Sequence, residues 1–183
     1  MKGLSCLAAA CMLVVIAAAP ARADLSVRLT NAQLTATSDV ILIGRVLSSQ
    51  SRWIDRTLVT AVTVGVEESL KGDVSGELEV LLPGGTDATR RVKVAMTYPG
   101  APTLHGDEQV FLFLTRSEEV SGYIVSGFAQ GKFSIVTDGN GVRRVSRDLR
   151  GSQLVEGTGV ARGTVTLEPL ATFRQDILAL IAQ

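Results

Sequence analysis

Residues 58–73 read LVTAVTVGVEESLKGD, and this stretch decides the fold. Its apolar residues recur at every second position, which is the period of a strand with one buried face. Valine and threonine fit a pleated surface, and the polar residues at 71–73 supply a turn that ends the run. We therefore expect the central strand of an all-β domain here. The residues expected on its buried face are Leu58, Val62, Val64, Val66 and Leu70.

Two other stretches are apolar at consecutive positions, as in strands that are covered on both faces. Val40 to Leu47 reads VILIGRVL, in which Gly44 indicates a bulge or a close approach of two backbones. We expect this strand to pair with the strand at 58–73 through a loop at Ser48 to Thr57. Val110 to Leu114 reads VFLFL and is predicted to be the most deeply buried strand after that pair.

Shorter segments predict the remaining strands, and turn residues separate them. Arg91 to Met96 reads RVKVAM, and its apolar residues are expected to point inward. Residues 138–141 read DGNG and predict a tight hairpin turn. Ser146 to Gly163 lacks periodicity and contains four glycines, so we expect a long loop that is either functional or mobile. The other predicted strands are Glu77 to Leu82, Tyr123 to Ser126, Lys132 to Val136 and Val142 to Val145.

Two helices are predicted, one near each end of this strand series. Residues 29–38 suit a helix of one or two turns, with Thr30 or Asn31 as its N-cap. Residues 169–182 read PLATFRQDILALIA and place apolar side chains at helical spacing, with Pro169 in the first turn. We expect this amphipathic C-terminal helix to lie across the sheet or to cap an open barrel end. Its apolar stripe is interpreted as core, with a docking face for a partner as the alternative.

The first residues are predicted to be a signal peptide spanning 1–23. Lys2 precedes an apolar run from Leu4 to Ala19, and Ala21-Arg22-Ala23 is a suitable cleavage site. A lipoprotein signal ending at Cys11 is a weaker alternative, because it leaves too small an apolar region. We therefore expect one β-barrel domain at 24–183 with no membrane-spanning segment, located in a periplasm or outside the cell.

Cysteine content and charge narrow the functional classes. Both cysteines, Cys6 and Cys11, lie in the predicted signal, so we expect no disulfide bond in the processed chain. The full sequence has 18 basic and 18 acidic residues, and removal of Lys2 and Arg22 leaves a net charge near −2. This balance argues against a nucleic-acid partner.

Groups for catalysis and for metal binding are scarce. The chain has one histidine, His105, and no G-x-S-x-G motif, so we expect no zinc site, no nucleophilic triad and no cofactor. Asp138 and Asn140 are interpreted as turn residues, with a calcium site as the weaker alternative. The enzymatic alternative is a hydrolase that uses carboxylates of the 97–108 loop, namely Asp107 and Glu108.

Two groups of side chains are candidates for partner contacts. Trp53, the only tryptophan, lies between Arg52 and Arg56 in the sequence. It either covers one end of the core or forms an aromatic contact flanked by cations at the mouth of a binding surface. Four arginines follow the predicted hairpin and are interpreted as a solvated face, with contact to an anionic envelope surface as the alternative. They are Arg143, Arg144, Arg147 and Arg150.

Three segments together resemble a known module. SDVILIGRV at 38–46, VTVGVEESLKGDVSGELEVLLPGG at 62–85 and HGDEQVFLFL at 105–114 are similar to the OB-like barrel of netrin-type and tissue-inhibitor-of-metalloproteinase modules and of bacterial exported relatives. The resemblance covers roughly residues 39–115. It implies a five-stranded barrel with a rim that binds a protein or another ligand.

The chain also departs from that module. Inhibitor members direct an N-terminal cysteine at a proteinase zinc, and netrin-type modules carry disulfides, whereas the predicted processed chain starts at Asp24 without cysteine. The inhibitory mechanism therefore does not transfer. We expect an exported, non-enzymatic OB-like β-barrel that binds a protein or a cell-envelope component, with Trp53, Arg52 and Arg56 as candidate contacts. The alternatives are the hydrolase and a purely structural envelope protein.

Overall fold

The computed structural model describes residues 25–183. The predicted signal peptide at 1–23, with Cys6 and Cys11, lies outside these residues. Of these residues, 53% lie in strands and 12% in helices, so the prediction of an all-β fold is confirmed. Neither helix within 25–183 has the length and apolar character needed to cross a bilayer.

Thirteen strands and two helices follow one another along residues 25–183. The strands are β1 (Leu25–Val27), β2 (Val40–Ile54), β3 (Thr57–Lys71), β4 (Glu77–Pro83), β5 (Gly85–Asp87), β6 (Val94–Met96), β7 (Gln109–Ser117), β8 (Gly122–Val125), β9 (Lys132–Thr137), β10 (Arg143–Asp148), β11 (Gln153–Glu156), β12 (Gly159–Arg162) and β13 (Val165–Pro169). The helices are α1 (Asn31–Thr37) and α2 (Leu170–Ile181).

Five of these strands close into a small barrel, which confirms the predicted OB-like architecture. The ring runs β2-β3-β4-β8-β7 and returns to β2. Four of its five contacts are antiparallel ladders, whereas β4 and β8 are parallel and pair only at Val80 and Tyr123. This order is that of a five-stranded Greek-key barrel that is partly open.

The edge of β7 is shared between two strands. Its first half pairs with β9 and its second half with β8, so the sheet divides at this edge. β8 closes the barrel, while β9, β10 and β13 continue as a wing. Three small strands form a separate sheet in the order β1-β11-β12, and β5 pairs with β6.

Two hydrophobic cores explain why β2 and β7 are apolar at consecutive positions. Even-numbered residues of each strand line the barrel interior, and odd-numbered residues pack against the wing and the helices. All five residues of Val110–Leu114 are fully buried, as predicted. The barrel core includes Val40, Leu42, Val46, Val62, Val64, Val80, Leu82, Val110, Leu112 and Leu114. The second core includes Leu34, Ile41, Ile43, Phe111, Phe113, Phe133, Val145, Leu170, Phe173 and Ile177.

Helix α2 lies across the outer face of the sheet, as the first of the two expected placements requires. Leu170, Phe173 and Ile177 are buried in the second core, so the apolar stripe is core. The Arg174 guanidinium donates to the Glu68 carboxylate of β3 through Nε at 3.0 Å and also through Nη2. The Arg174 hydrogen bonds therefore outweigh partial desolvation and lower the pKa of Glu68.

The hairpin of β2 and β3 is much longer than the sequence predicts. The expected loop at Ser48 to Thr57 is wrong, because β2 continues to Ile54 and β3 starts at Thr57. Only two residues form the turn, and Asp55 adopts a positive φ of 52° there. Residues 48–53 of β2 are mostly polar and exposed in this extension, whereas the paired residues of β3 include the buried Leu58, Val59 and Val62.

Irregular pairing of β2 with β3 corrects one predicted face. The register shifts beside Ile43 and Gly44 confirm the predicted bulge, and a Cβ on Gly44 would lie 2.6 Å from the Gly65 carbonyl oxygen. The shift between Ile43 and Gly44 leaves Glu67 as an extra residue in β3, and this extra residue reverses which face the following side chains occupy. Leu70 therefore packs on the second core and not with Val62 and Val64.

Two other sequence predictions are wrong. Ser146 to Gly163 is not a continuous loop, because β10 extends into it and β11 and β12 form a hairpin within it. Val92 does not point inward, since it is 72% exposed and only Val94–Met96 forms a strand. That strand pairs only with the short β5.

The N-cap of α1 is Thr30, which is one of the two predicted candidates. Its hydroxyl accepts the Gln33 N–H at 3.2 Å, and the Gln33 side chain accepts the Thr30 N–H at 2.9 Å. We expect Thr30→Ala to lower the free energy of unfolding by about 1 kcal/mol, since a helix of seven residues depends on its cap. Chemical denaturation measures this change. Thr30→Ser retains the hydroxyl, and equal losses for both variants would contradict a capping role.

Candidate functional site

Trp53 lies near the end of β2 in the long hairpin, outside both cores. Its indole Nε1–H donates to Asp87 Oδ2 at 2.7 Å, which ties β2 to the short β5. Asp87 also accepts the Thr89 hydroxyl at 2.6 Å and the Thr89 N–H at 2.9 Å. These bonds hold the pKa of Asp87 far below its usual range, and the bond from the Thr89 hydroxyl has the largest effect. The carboxylate therefore stays ionised and fixes the indole.

The cation that stacks on Trp53 is Arg90 and not one of the neighbouring arginines. The Arg90 guanidinium carbon lies 4.6 Å from the centroid of the Trp53 ring, and Arg90 Nε contacts Asp87 Oδ2 at 3.0 Å. Asp87 and Arg90 follow Trp53 by more than thirty residues, and no local motif connects them. Sequence reasoning therefore found the aromatic group but missed both partners.

The two predicted flanking arginines lie elsewhere. Alternation along β2 directs Arg52 to the opposite face from Trp53, where its Nη1 donates to Glu79 Oε2 at 2.8 Å. Arg56 occupies the two-residue turn with an exposed side chain. The hairpin tip thus presents an aromatic ring with one stacked cation, an ion pair on the other face and a cation at the apex.

An apolar cleft of about 460 Å³ opens beside this tip, between β4 and β8. Thr57 and Val59 connect it to the hairpin, and Val59 also packs with Ile54, Leu81 and Ile124 in a small cluster on the barrel exterior. Sequence reasoning did not identify this cleft, because it depends on the spacing of two strands about forty residues apart. Its other lining residues include Leu82, Pro83, Pro102, Val120, Val125 and Phe128.

The carboxylates of the hydrolase alternative occupy different environments. Asp107 is exposed with a positive φ of 62°, whereas the Glu108 side chain is only 14% exposed. Glu108 Oε1 accepts Lys132 Nζ at 2.6 Å and the Ser134 hydroxyl at 2.5 Å, and Oε2 accepts the His105 N–H at 2.9 Å. Burial raises the pKa of Glu108, but the Lys132, Ser134 and His105 bonds outweigh it and the pKa is lowered.

The Asp138 carboxylate, in the turn at 138–141, accepts its hydrogen bonds from groups of the protein itself. Asp138 Oδ1 accepts the N–H groups of Asn140 and Val142, and Asp138 Oδ2 accepts Arg144 Nε at 2.6 Å. The Arg144 bond and then that of Val142 lower the pKa of Asp138. In the described part of the chain, no three side chains of His, Cys, Asp or Glu converge to hold a metal ion.

The predicted arginine face is occupied by internal contacts. Besides Arg144, Arg150 pairs with Asp148 at 2.6 Å, and Arg143 donates to Gln109 at 3.1 Å. Arg147 lies over the Phe133 ring at 4.9 Å. Arg143, Arg144 and Arg150 are thus each bonded to a neighbouring side chain, whereas Arg147 stacks on Phe133 and its buried Nε and Nη1 have no hydrogen-bond partner.

Comparison of this chain with protein-family models, with curated proteins and with solved structures finds no match.

Proposed function

We propose that this chain is an exported, non-enzymatic OB-like domain that binds a protein or a cell-envelope component through the hairpin tip and the adjoining cleft. The observation that carries the proposal is the apolar cleft of about 460 Å³. This volume falls within the usual range for ligand sites, and such sites are mainly apolar with a few fixed polar groups. Val59 pairs with Arg52 and Thr57 with Ile54, so the cleft opens on the Arg52 face of the hairpin, whereas the Trp53, Asp87 and Arg90 cluster fixes the tip from the opposite face.

Export is supported by the sequence of residues 1–23. The contacts of Glu108 and the exposure of Asp107 support a binding role over the hydrolase alternative. Glu108 is bonded to a cation and a hydroxyl, and Asp107 is exposed, so the two carboxylates do not form an acid–base pair in one cleft. The purely structural alternative is decided by the capture experiment below, since it requires that no partner is recovered under any salt condition.

Trp53→Ala is expected to leave the fold intact and to weaken capture of a partner from an envelope extract by at least about tenfold, as for an aromatic hot spot. The reason is that Trp53 belongs to neither core but ties the hairpin tip to β5 through Asp87. Quantitative mass spectrometry of captured proteins measures the loss, and circular dichroism checks the fold.

Two further variants make this result specific. Val120→Asp places a charge on the wall of the cleft and should weaken capture of the same partner. Val160→Ala, at a 60% exposed position of β12, is the matched control and should leave capture unchanged. Equal capture by all three variants and the original protein would refute the assignment of this surface.

A further inference from the structure

A second cavity, of about 620 Å³, adjoins the apolar cleft. Pro102 lines both cavities, and Phe128 lines the cleft while the next residue, Ala129, lines the second cavity. The two cavities therefore meet at Pro102 and at the peptide that joins Phe128 to Ala129. The second cavity is polar, and its polar lining residues include Lys132, Ser134, Ser146, Asp148, Arg150 and Ser152.

The polar cavity lies on a face of the sheet that changes character between barrel and wing. Val110 of β7 faces the barrel interior and pairs with Ser134 of β9. Ser134 in turn pairs with Ser146 of β10. Residues that are paired in this way point to the same face of a sheet. One face is therefore apolar where it lines the barrel and polar where it continues into the wing.

The turn between β8 and β9 holds the boundary between the two cavities. The Gly131 N–H donates to the Ser126 carbonyl at 2.9 Å and closes this turn. Phe128, within it, has a positive φ of 63°, which is rare for a bulky residue and persists only where surrounding contacts impose it. The turn thus fixes Phe128 at the apolar cleft and Ala129 at the polar cavity.

The polar cavity contains hydrogen-bonding groups that the protein does not use internally. Ser146 and Ser152 line it, and neither hydroxyl has a hydrogen-bond partner within residues 25–183. The Lys132 ammonium donates to Glu108 at 2.6 Å and to Ser134 at 2.8 Å, which leaves one of its three hydrogens. Hydroxyl groups both donate and accept, so this set suits a ligand that carries several hydroxyl groups.

Charges around the polar cavity are balanced in pairs. Arg150 Nη2 lies 2.6 Å from Asp148 Oδ2, and Lys132 is paired with Glu108. Hydrogen bonds from the Arg150 side chain are the main reason that the pKa of Asp148 is lowered to about 2, so this carboxylate is ionised at neutral pH. An anionic group would be repelled by Asp148 and a cationic group by Lys132 and Arg150. An uncharged polar group avoids both penalties.

We infer that the occupant of the two adjoining cavities is an amphiphile with an uncharged, hydroxylated headgroup and a single alkyl or acyl chain. The chain lies in the apolar cleft, the headgroup lies in the polar cavity, and the link between them passes Pro102. This inference rests on the proposed binding function and specifies the chemistry of its ligand. Each methylene that the cleft buries should raise the affinity about fourfold, while the hydroxyl contacts select the headgroup.

The test titrates the ¹⁵N-labelled protein with decyl β-D-maltoside below its micelle concentration. Methyl β-D-maltoside has the same headgroup without the chain, and decylphosphocholine has the same chain on a headgroup without hydroxyl groups. We expect the first ligand to shift amides near both Val120 and Ser146. Its affinity should exceed that of either comparison ligand by at least about tenfold, because each of these lacks one half of the contacts.

The three affinities can also overturn the inference. Equal affinity for decyl maltoside and decylphosphocholine would mean that the polar cavity does not bind the headgroup. Equal affinity for decyl maltoside and methyl maltoside would mean that the cleft does not hold the chain. Absence of binding by decyl maltoside would overturn the inference as a whole.

Two substitutions provide the matched test on the protein side. Ser146→Ala removes a hydroxyl from the polar cavity and should weaken binding of decyl maltoside at least about threefold, without affecting decylphosphocholine. Val120→Asp places a charge in the cleft and should weaken both decyl ligands at least about tenfold, without affecting methyl maltoside. Equal weakening of both decyl ligands by Ser146→Ala would contradict the assigned headgroup position.

Exposed positions outside both cavities supply the controls. Ser49→Ala on β2 and Val160→Asp on β12 make the same kinds of change and should leave all three affinities unaltered. The capture experiment with Trp53→Ala and Val120→Asp decides the binding function separately. Capture that depends on these two residues, without binding of decyl maltoside, would overturn the amphiphile and leave the proposed function standing.

Discussion

Replacing Phe173 by Ala is expected to lower the free energy of unfolding by about 3–5 kcal/mol, the largest loss predicted for one side chain of this protein. Phe173 is fully buried, and its ring centroid lies 4.7 Å from that of Phe133 and 4.9 Å from that of Phe111. The substitution therefore removes the ring through which α2 packs on both β7 and β9. Chemical denaturation measures the loss.

A surface substitution provides the comparison for Phe173→Ala. Leu167 of β13 is 55% exposed, so Leu167→Ala should change the free energy of unfolding by less than about 0.5 kcal/mol. Phe173→Leu retains most of the apolar volume and should fall between the two. A loss for Phe173→Ala as small as that for Leu167→Ala would mean that α2 is not essential to the second core.

Lys132→Met is expected to destabilise the protein by about 3 kcal/mol at neutral pH. The Lys132 and Glu108 side chains are only 15% and 14% exposed, and their atoms lie 2.6 Å apart. Removing the ammonium leaves the Glu108 carboxylate mostly buried without its cation. Only neutral donors, the Ser134 hydroxyl and the His105 N–H, then remain on it.

The pH dependence gives this prediction a distinctive sign. In the original protein the pKa of Glu108 is lowered, so its contribution to stability is present above the ordinary value of 4.5 and is lost as the pH falls through the lowered pKa. In Lys132→Met, burial without the ammonium should raise this pKa, so the penalty is present at neutral pH and is relieved on acidification. The stability difference between the two proteins should therefore shrink from about pH 7 to about pH 4.

The double substitution of Lys132→Met with Glu108→Gln tests the cause of that loss. It removes both charges and should recover most of the lost stability at neutral pH, with little of the pH-dependent difference left. Denaturation curves at several pH values measure both effects. A deficit that is constant with pH, or that persists in the double variant, would show that lost packing of the Lys132 chain is responsible.

The strands with two covered faces were predictable, because burial on both faces requires apolar residues at consecutive positions. Val110–Leu114 has no polar residue, and the structure places alternate members in different cores. By contrast, β11 and β12 are not visible in the sequence, because most of their residues are exposed. Strand β11 pairs in parallel with β1, more than a hundred residues earlier, and local patterns carry no information about such a partner.

The candidate site was predictable only in part, for a similar reason. A lone tryptophan between two arginines marks Trp53, but its contacts with Asp87 and Arg90 arise from the docking of β5 and its following turn. The apolar cleft was not predictable, because it forms between β4 and β8, which lie about forty residues apart in the sequence.

The division of the sheet at β7 has a consequence for how the molecule can come apart. One strand supplies main-chain partners to the closing strand of the barrel and to the first strand of the wing, and its side chains serve both cores. Detaching the wing removes the partner of the first half of this edge of β7, and separating β8 removes the partner of the second half. The two cores are thus expected to melt in a single cooperative step, because neither retains its wall without the strand that the other also needs.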